Sequence, residues 1–281
     1  MTLRSMLSRR ASLPIVARVL PLGFLLTIAV GCSAPTAARA DGHPLTLAVE
    51  AGLKQGNATF DHSSYDQLLR KHVSETGSVS YTGLAKERKT LQQYIRSIER
   101  ADFSKYGREE LLALIINAYN ALTLDWIIDN WPLESIRDTH KPWKEKRHKV
   151  GGATVSLDFL EHQLLRVPEL FTEPRIHFGV NCASKGCPPL RNEAYVGSKV
   201  RDQLEDATVK ALRQKGQLEV RDGRVWVSMI FSWFGDDFRR GESNLATFLI
   251  PRSPAPAAEI LRKEGEGSIR YLDYDWSLNG S

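Results

Sequence analysis

The sequence lacks the fingerprints of several large enzyme classes. It has no Walker loop, no Rossmann glycine turn, no Gly-x-Ser-x-Gly elbow and no His-Glu-x-x-His helix. A nucleotide enzyme of those types, a standard serine hydrolase and a zincin are therefore disfavoured. Net charge is missing too. The chain carries 38 Lys and Arg against 33 Asp and Glu, and the excess equals the five arginines of the first 40 residues, which hold no Lys, Asp or Glu. From residue 41 onward the charges balance, which removes the electrostatic reason to expect a nucleic-acid partner. Cysteine is scarce: Cys32, Cys182 and Cys187 are all there is.

What is present at the N-terminus reads as an export signal. Arg4, Arg9, Arg10 and Arg18 form the charged part, and LPLGFLLTIAV is an apolar run too short to span a bilayer. AVGC, ending at Cys32, is similar to a bacterial lipoprotein box; Ala38-Arg39-Ala40 also fits ordinary signal cleavage. The expected organisation is a signal over residues 1–31 (alternatively 1–40), a tether over 32–57 and one globular domain over 58–281. The expected location is periplasmic, with the membrane touched only through a lipid on Cys32. This leaves Cys182 and Cys187 as an even pair in an oxidising compartment, where a disulfide is the expected state.

Periodicity predicts an α+β fold. Helices are expected over 63–74, 85–100, 108–129, 157–167 and 198–214. The segment REELLALIINAYNALTLDWIID is apolar nearly all round and reads as a buried central helix; Asn117, Asn120 and Asp125 argue against a membrane span. HKVGGATVSL and QLEVRDGRVWVS read as hairpins, 175–180 as a strand, and 77–84 and the C-terminal SIRYLDYDWSLN as extended. Helices outnumber strands and the strands cluster in hairpins, so a small, mainly antiparallel sheet is expected. The tryptophans are expected in the core and at its rim.

The richest stretch is VNCASKGCPPL, Val180 to Leu190. Bridging Cys182 to Cys187 requires the chain to fold back, which Gly186 permits. The Cys-x4-Cys spacing is not the usual redox spacing. A reactive thiol is the alternative: Lys185 would favour a thiolate, and a helical turn beginning at Pro188-Pro189 would activate Cys187. His177 is the candidate base, although strand alternation need not bring it to Cys182. His162, His177, Cys182 and Cys187 have metal-ligating atoms, but their spacing matches no familiar zinc pattern, and no cofactor is expected. Asn117 and Asn120 share a helix face and either tie loops to the helix or line a polar pocket. Glu161 and His162 are adjacent, so a helix would point them about 100° apart.

FDHSSYDQLLRKHV, INAYNALTL, SLDFLEHQLLR, RIHFGVNCASKGCPPL, MIFSWFGDDF and DYDWSLN occur in this order. Together they resemble the domain of unknown function 547 family over nearly the whole mature chain. The resemblance implies a candidate site of Asn117, Asn120, His177, Asn181, Cys182 and Cys187. Two functions are open at this point. One is a binding or scaffold module of the cell envelope, stapled by a disulfide, with an envelope partner or small ligand. The other is a thiol-dependent enzyme, of hydrolase, transferase or redox type.

Overall fold

The most apolar helix of the sequence is the axis of the fold. In this computed structural model, which describes residues 42–240 and 243–281, α5 (Arg108–Asp129) is buried without interruption from Leu111 to Leu124. It is long and apolar enough to cross a membrane, yet its surface is spent inside the domain. Each fully buried Leu or Ile contributes roughly 1.5–3 kcal/mol. Glu109 and Glu110 sit at its positive N-terminal end.

Around it run α1 (Pro44–Gln55), α2 (Ser63–His72), α3 (Tyr81–Lys86) and α4 (Arg88–Arg100), then the hairpin β1 (His148–Val150) and β2 (Ala153–Val155). Gly151 and Gly152 turn that hairpin with positive φ, +56° and +75°. Next come α6 (Leu157–Leu160) and α7 (Val200–Ala211). The second half holds β3 (Leu218–Arg221), β4 (Arg224–Val227), α8 (Ile230–Trp233), α9 (Gly235–Arg239), α10 (Leu245–Leu249), α11 (Ala255–Glu264) and β5 (Ile269–Tyr271). β4 pairs antiparallel with β3 and parallel with β5. The class is α+β, with two small sheets and one buried central helix.

The apolar interior forms two clusters. One wraps α5; the other packs Phe178, Phe231, Phe238 and Phe248 against the three-stranded sheet. The segment between α6 and α7, which carries the cysteines, passes from one cluster to the other.

Several expectations need correction. Residues 44–55 are not tether: Pro44 starts a helix and His43 caps it, so that Leu45 and Val49 are fully buried. The export signal and Cys32 lie outside the described residues. Tyr81 begins a helix, capped by Ser80, inside a stretch expected to be extended. Residues 174–178 form a 3-10 turn rather than a strand, because Pro174 sets the first turn and Glu173 caps it. The helix expected over 157–167 is α only to Leu160. It then widens into a π turn over Glu161–Leu165.

Candidate functional site

A cavity of about 520 Å³ opens between the two apolar clusters. Its lining comes from α5 (Tyr119), the loop before β1, the π turn, the 3-10 turn, the cysteine loop, α8 and the C-terminal tail. Of the residues singled out in the sequence, Glu161, His162, His177, Cys182 and Cys187 meet here.

The cysteine loop is folded back by a network of amides. Asn181 Oδ1 accepts from the Ala183 N–H (2.9 Å), and its Nδ2 donates to the Pro188 carbonyl (2.8 Å), closing the loop at both ends. Asn279 of the tail donates to the same Oδ1 (3.1 Å). Ala183 takes the left-handed conformation, φ +61°, which costs a non-glycine residue free energy and is retained because the loop is pinned on both sides. Gly186, expected to permit the reversal, does something else. Its missing side chain lets the loop lie against the tail, where a Cβ would come within 2.9 Å of Asp275 N.

The two thiols are free. Their Sγ atoms stand 2.6 Å apart, beyond the 2.03–2.05 Å of a disulfide, so the expected Cys182–Cys187 bridge is not formed in this structure. The Cys182 N–H donates to Cys187 Sγ at 3.0 Å. Cys182 Sγ also lies 3.1 Å from Ser184 Oγ and 3.3 Å from Tyr274 Oη, which are 3.0 Å from each other. The contact from Cys187, with those two hydroxyls, outweighs burial and lowers the Cys182 thiol to about 7. Burial, then the adjacent Cys182, pushes the Cys187 thiol well above its ordinary value.

This reverses the order expected from the sequence. No helix starts at Pro188-Pro189; the next helical residues begin at Gly197. Cys187 therefore has no helix end to activate it. Lys185 is exposed, and its backbone N–H donates to the Ser277 carbonyl (2.8 Å). It lines a second, polar cavity of about 350 Å³ beside Cys187.

His177 does not serve the sulfurs. Its Nε2 donates to Asp237 Oδ2 at 2.9 Å, and its ring stacks on Phe234 with centroids 4.2 Å apart. Burial lowers its pKa against the opposing pull of Asp237, so the imidazole is neutral. Burial raises the Asp237 carboxyl, but His177 and Arg166 overcome this and hold it well below the usual carboxylate range. Arg166 Nε donates to the same Oδ2 at 2.5 Å, and its Nη1 is 2.7 Å from His162 Nδ1. A chain of His162, Arg166, Asp237 and His177 thus stiffens one wall.

The π turn explains why adjacent Glu161 and His162 both reach the cavity lining. An inserted residue re-aims side chains that an α-helix would have diverged, and such turns recur at functional sites. They remain separate in their partners. Glu161 interacts with Tyr119, while His162 pairs with Asp158 (3.7 Å) and Arg166.

Asn117 and Asn120 are loop ties. Asn120 donates to the Gly179 carbonyl and accepts from the Asn181 N–H, both at 2.8 Å. Asn117 donates to the Tyr195 carbonyl (2.7 Å) and accepts from the Tyr195 N–H (3.0 Å). Neither lines the cavity. The sequence reading pointed to none of Ser184, Asp237 and Tyr274; Trp143 and Trp233 pack against the core clusters, as expected, and with Trp276 they also line the cavity. The available signal for Asp237 and Tyr274 was their position in MIFSWFGDDF and DYDWSLN. Among the described residues, no group of three or more His, Cys, Asp or Glu could hold a metal ion.

Residues 103–210 match the family model described as "Protein of unknown function, DUF547". That match supports the resemblance carried by the sequence motifs. The matched segment holds α5, the π turn, His177 and both cysteines; Asp237 and Tyr274 lie beyond it. No curated protein and no solved structure matches the chain.

Proposed function

We propose that the cavity is a thiol–disulfide exchange site, with Cys182 as the attacking thiol and Cys187 as the resolving thiol. The observation that carries this reading is the pair of adjoining cysteines, both in the lining of a 520 Å³ cavity. The Cys182 thiolate attacks one sulfur of a substrate disulfide and expels the other half as a thiolate. The Cys187 thiol then loses its proton to solvent or to the leaving group and attacks Cys182 Sγ. The second thiolate leaves and the Cys182–Cys187 bridge forms. The substrate is reduced by two electrons and the dithiol is oxidised, so an external dithiol must restore it.

The geometry favours this over acyl transfer. A cysteine hydrolase needs a base bonded to its nucleophile, whereas His177 Nε2 is committed to Asp237. The N-terminal pattern supports action outside the cytoplasm, on a chain tethered through Cys32 or released after Ala40.

The test is mass spectrometry after incubation of the reduced protein with 2-hydroxyethyl disulfide. The wild type should lose two hydrogens by bridging Cys182 to Cys187. Cys187→Ser should trap a mixed disulfide on Cys182, and Cys182→Ser should form neither. A reduced, folded wild-type protein that stays unmodified would refute the reading.

A further inference from the structure

The cavity is built from two kinds of surface. Its wall is aromatic. Trp276 lies T-shaped to Trp143 (5.9 Å), stacked with Trp233 (6.0 Å) and tilted to Tyr274 (4.6 Å). These rings come from three distant segments and keep half-buried faces toward the opening. Rings so arranged offer flat apolar area with little entropy to lose on contact.

The mouth is cationic. Arg137, Lys141 and Lys144 line the cavity, are exposed, and have no ion pair among the described residues. The Arg137 guanidinium sits over the Trp276 ring at 5.0 Å. Lys141 is held with φ +45°, a conformation unfavourable for a side chain, on the loop that carries Trp143. The acids in the same lining are fewer: Glu161 is buried against Tyr119, and Asp158, 3.7 Å from His162, is the one solvent-accessible carboxylate among them. Three exposed cations against one solvent-accessible carboxylate make the opening positive, in a chain whose charges balance from residue 41 onward. Clefts lined by one sign of charge concentrate ligands of the other.

We propose that the substrate is an anionic aromatic disulfide: a planar ring bound on the Trp143–Trp276 wall, with a carboxylate or similar acid at Arg137, Lys141 and Lys144. This rests on the thiol-exchange reading for its reaction, but its binding chemistry stands on the cavity alone.

Two disulfide probes separate the claims. 5,5′-Dithiobis(2-nitrobenzoate) is aromatic and dianionic; 4,4′-dithiodipyridine is aromatic and neutral. Rates at Cys182 are normalised to those of 2-mercaptoethanol with the same probes, in low salt. The expected preference for the anionic probe is about tenfold over the free thiol, reduced by added salt. It should fall toward the free-thiol ratio in Lys141→Gln/Lys144→Gln, which leaves Arg137 as the one remaining cation of the three. Reaction with both probes at the free-thiol ratio would overturn the anionic substrate and leave thiol exchange standing. If neither probe reacts, thiol exchange fails, and the ligand class is decided by binding to Cys182→Ser. There, 8-anilinonaphthalene-1-sulfonate should bind about tenfold more tightly than neutral N-phenyl-1-naphthylamine. The double lysine variant should lose that difference. Equal binding of the two dyes would overturn the proposal.

Discussion

Tyr274 Oη lies 3.3 Å from Cys182 Sγ, so the tail of the chain supplies a donor to a thiol 92 residues earlier. The same hydroxyl is 3.0 Å from Ser184 Oγ, which lies 3.1 Å from the sulfur. Two hydroxyls and a second thiol therefore surround one sulfur, and the charge they stabilise belongs to Cys182.

Alkylation should show this asymmetry. With iodoacetamide, the rate at Cys182 should be half-maximal near pH 7, falling at lower pH as the thiolate is protonated. Cys187 should react only at much higher pH. Peptide mapping after brief exposure at pH 7 locates the label. A label on Cys187 alone would contradict the assignment.

Tyr274→Phe removes one hydroxyl and leaves the ring. The Cys182 pKa should rise, and alkylation at pH 6.5 should slow by about tenfold, the worth of ~1.4 kcal/mol for a bond to a charged group. Ser184→Ala should act in the same direction. An unchanged pH profile in both variants would show that the hydroxyls do not address the thiolate.

Asn120 stabilises the approach to the cysteine loop by satisfying two buried backbone groups, Gly179 O and Asn181 N. Asn120→Ala leaves both without a partner and should cost about 2–4 kcal/mol of stability. Asn120→Asp keeps an acceptor for Asn181 N but loses the donor, and should fall between. Urea denaturation measures this; a loss under ~0.5 kcal/mol in the alanine variant would refute the role as a tie.

His148, on β1, gives stability a pH dependence. It is buried, and its Nε2 has no hydrogen-bond partner among the described residues. Burial, then the charge of Arg147, lowers its pKa to about 4. The unfolded chain takes up this proton near pH 6.5, the folded chain only near pH 4. Stability therefore declines as pH falls between those values, by about 3 kcal/mol in all, and this group adds no slope above pH 6.5. His148→Leu should flatten that part of the profile. Parallel wild-type and variant curves from pH 7 to pH 4 would rule the group out as its source.

Legibility in the sequence followed the range of the forces. The central helix was readable residue by residue, because an uninterrupted apolar run bracketed by Glu109-Glu110 and Pro132 allows one local outcome. Both hairpins were readable because Gly151-Gly152 and Asp222-Gly223 adopt positive φ at little cost. The helices after β4 were not read. α8, α9 and α10 are four or five residues long, too short for periodicity to register. Helix α1 was lost to a composition rich in Ala, Gly and Thr that also suits a tether, although Leu45 and Val49 were the buried face.

The sequence by itself determined which residues could carry chemistry: two cysteines near two prolines, a histidine five positions before, and two asparagines on an apolar helix. It also determined the α+β class, since periodicity and turn chemistry are local properties. Only the tertiary structure decided what those residues do. It left the thiols unbonded and put Tyr274 beside Cys182, since the tail crosses the loop at Gly186. It turned His177 toward Asp237 and made both asparagines loop ties. Of the groups around Cys182 Sγ, Cys187 and Ser184 are near in sequence while Tyr274 comes from 92 residues away, and no local pattern constrains which sulfur the distant hydroxyl meets.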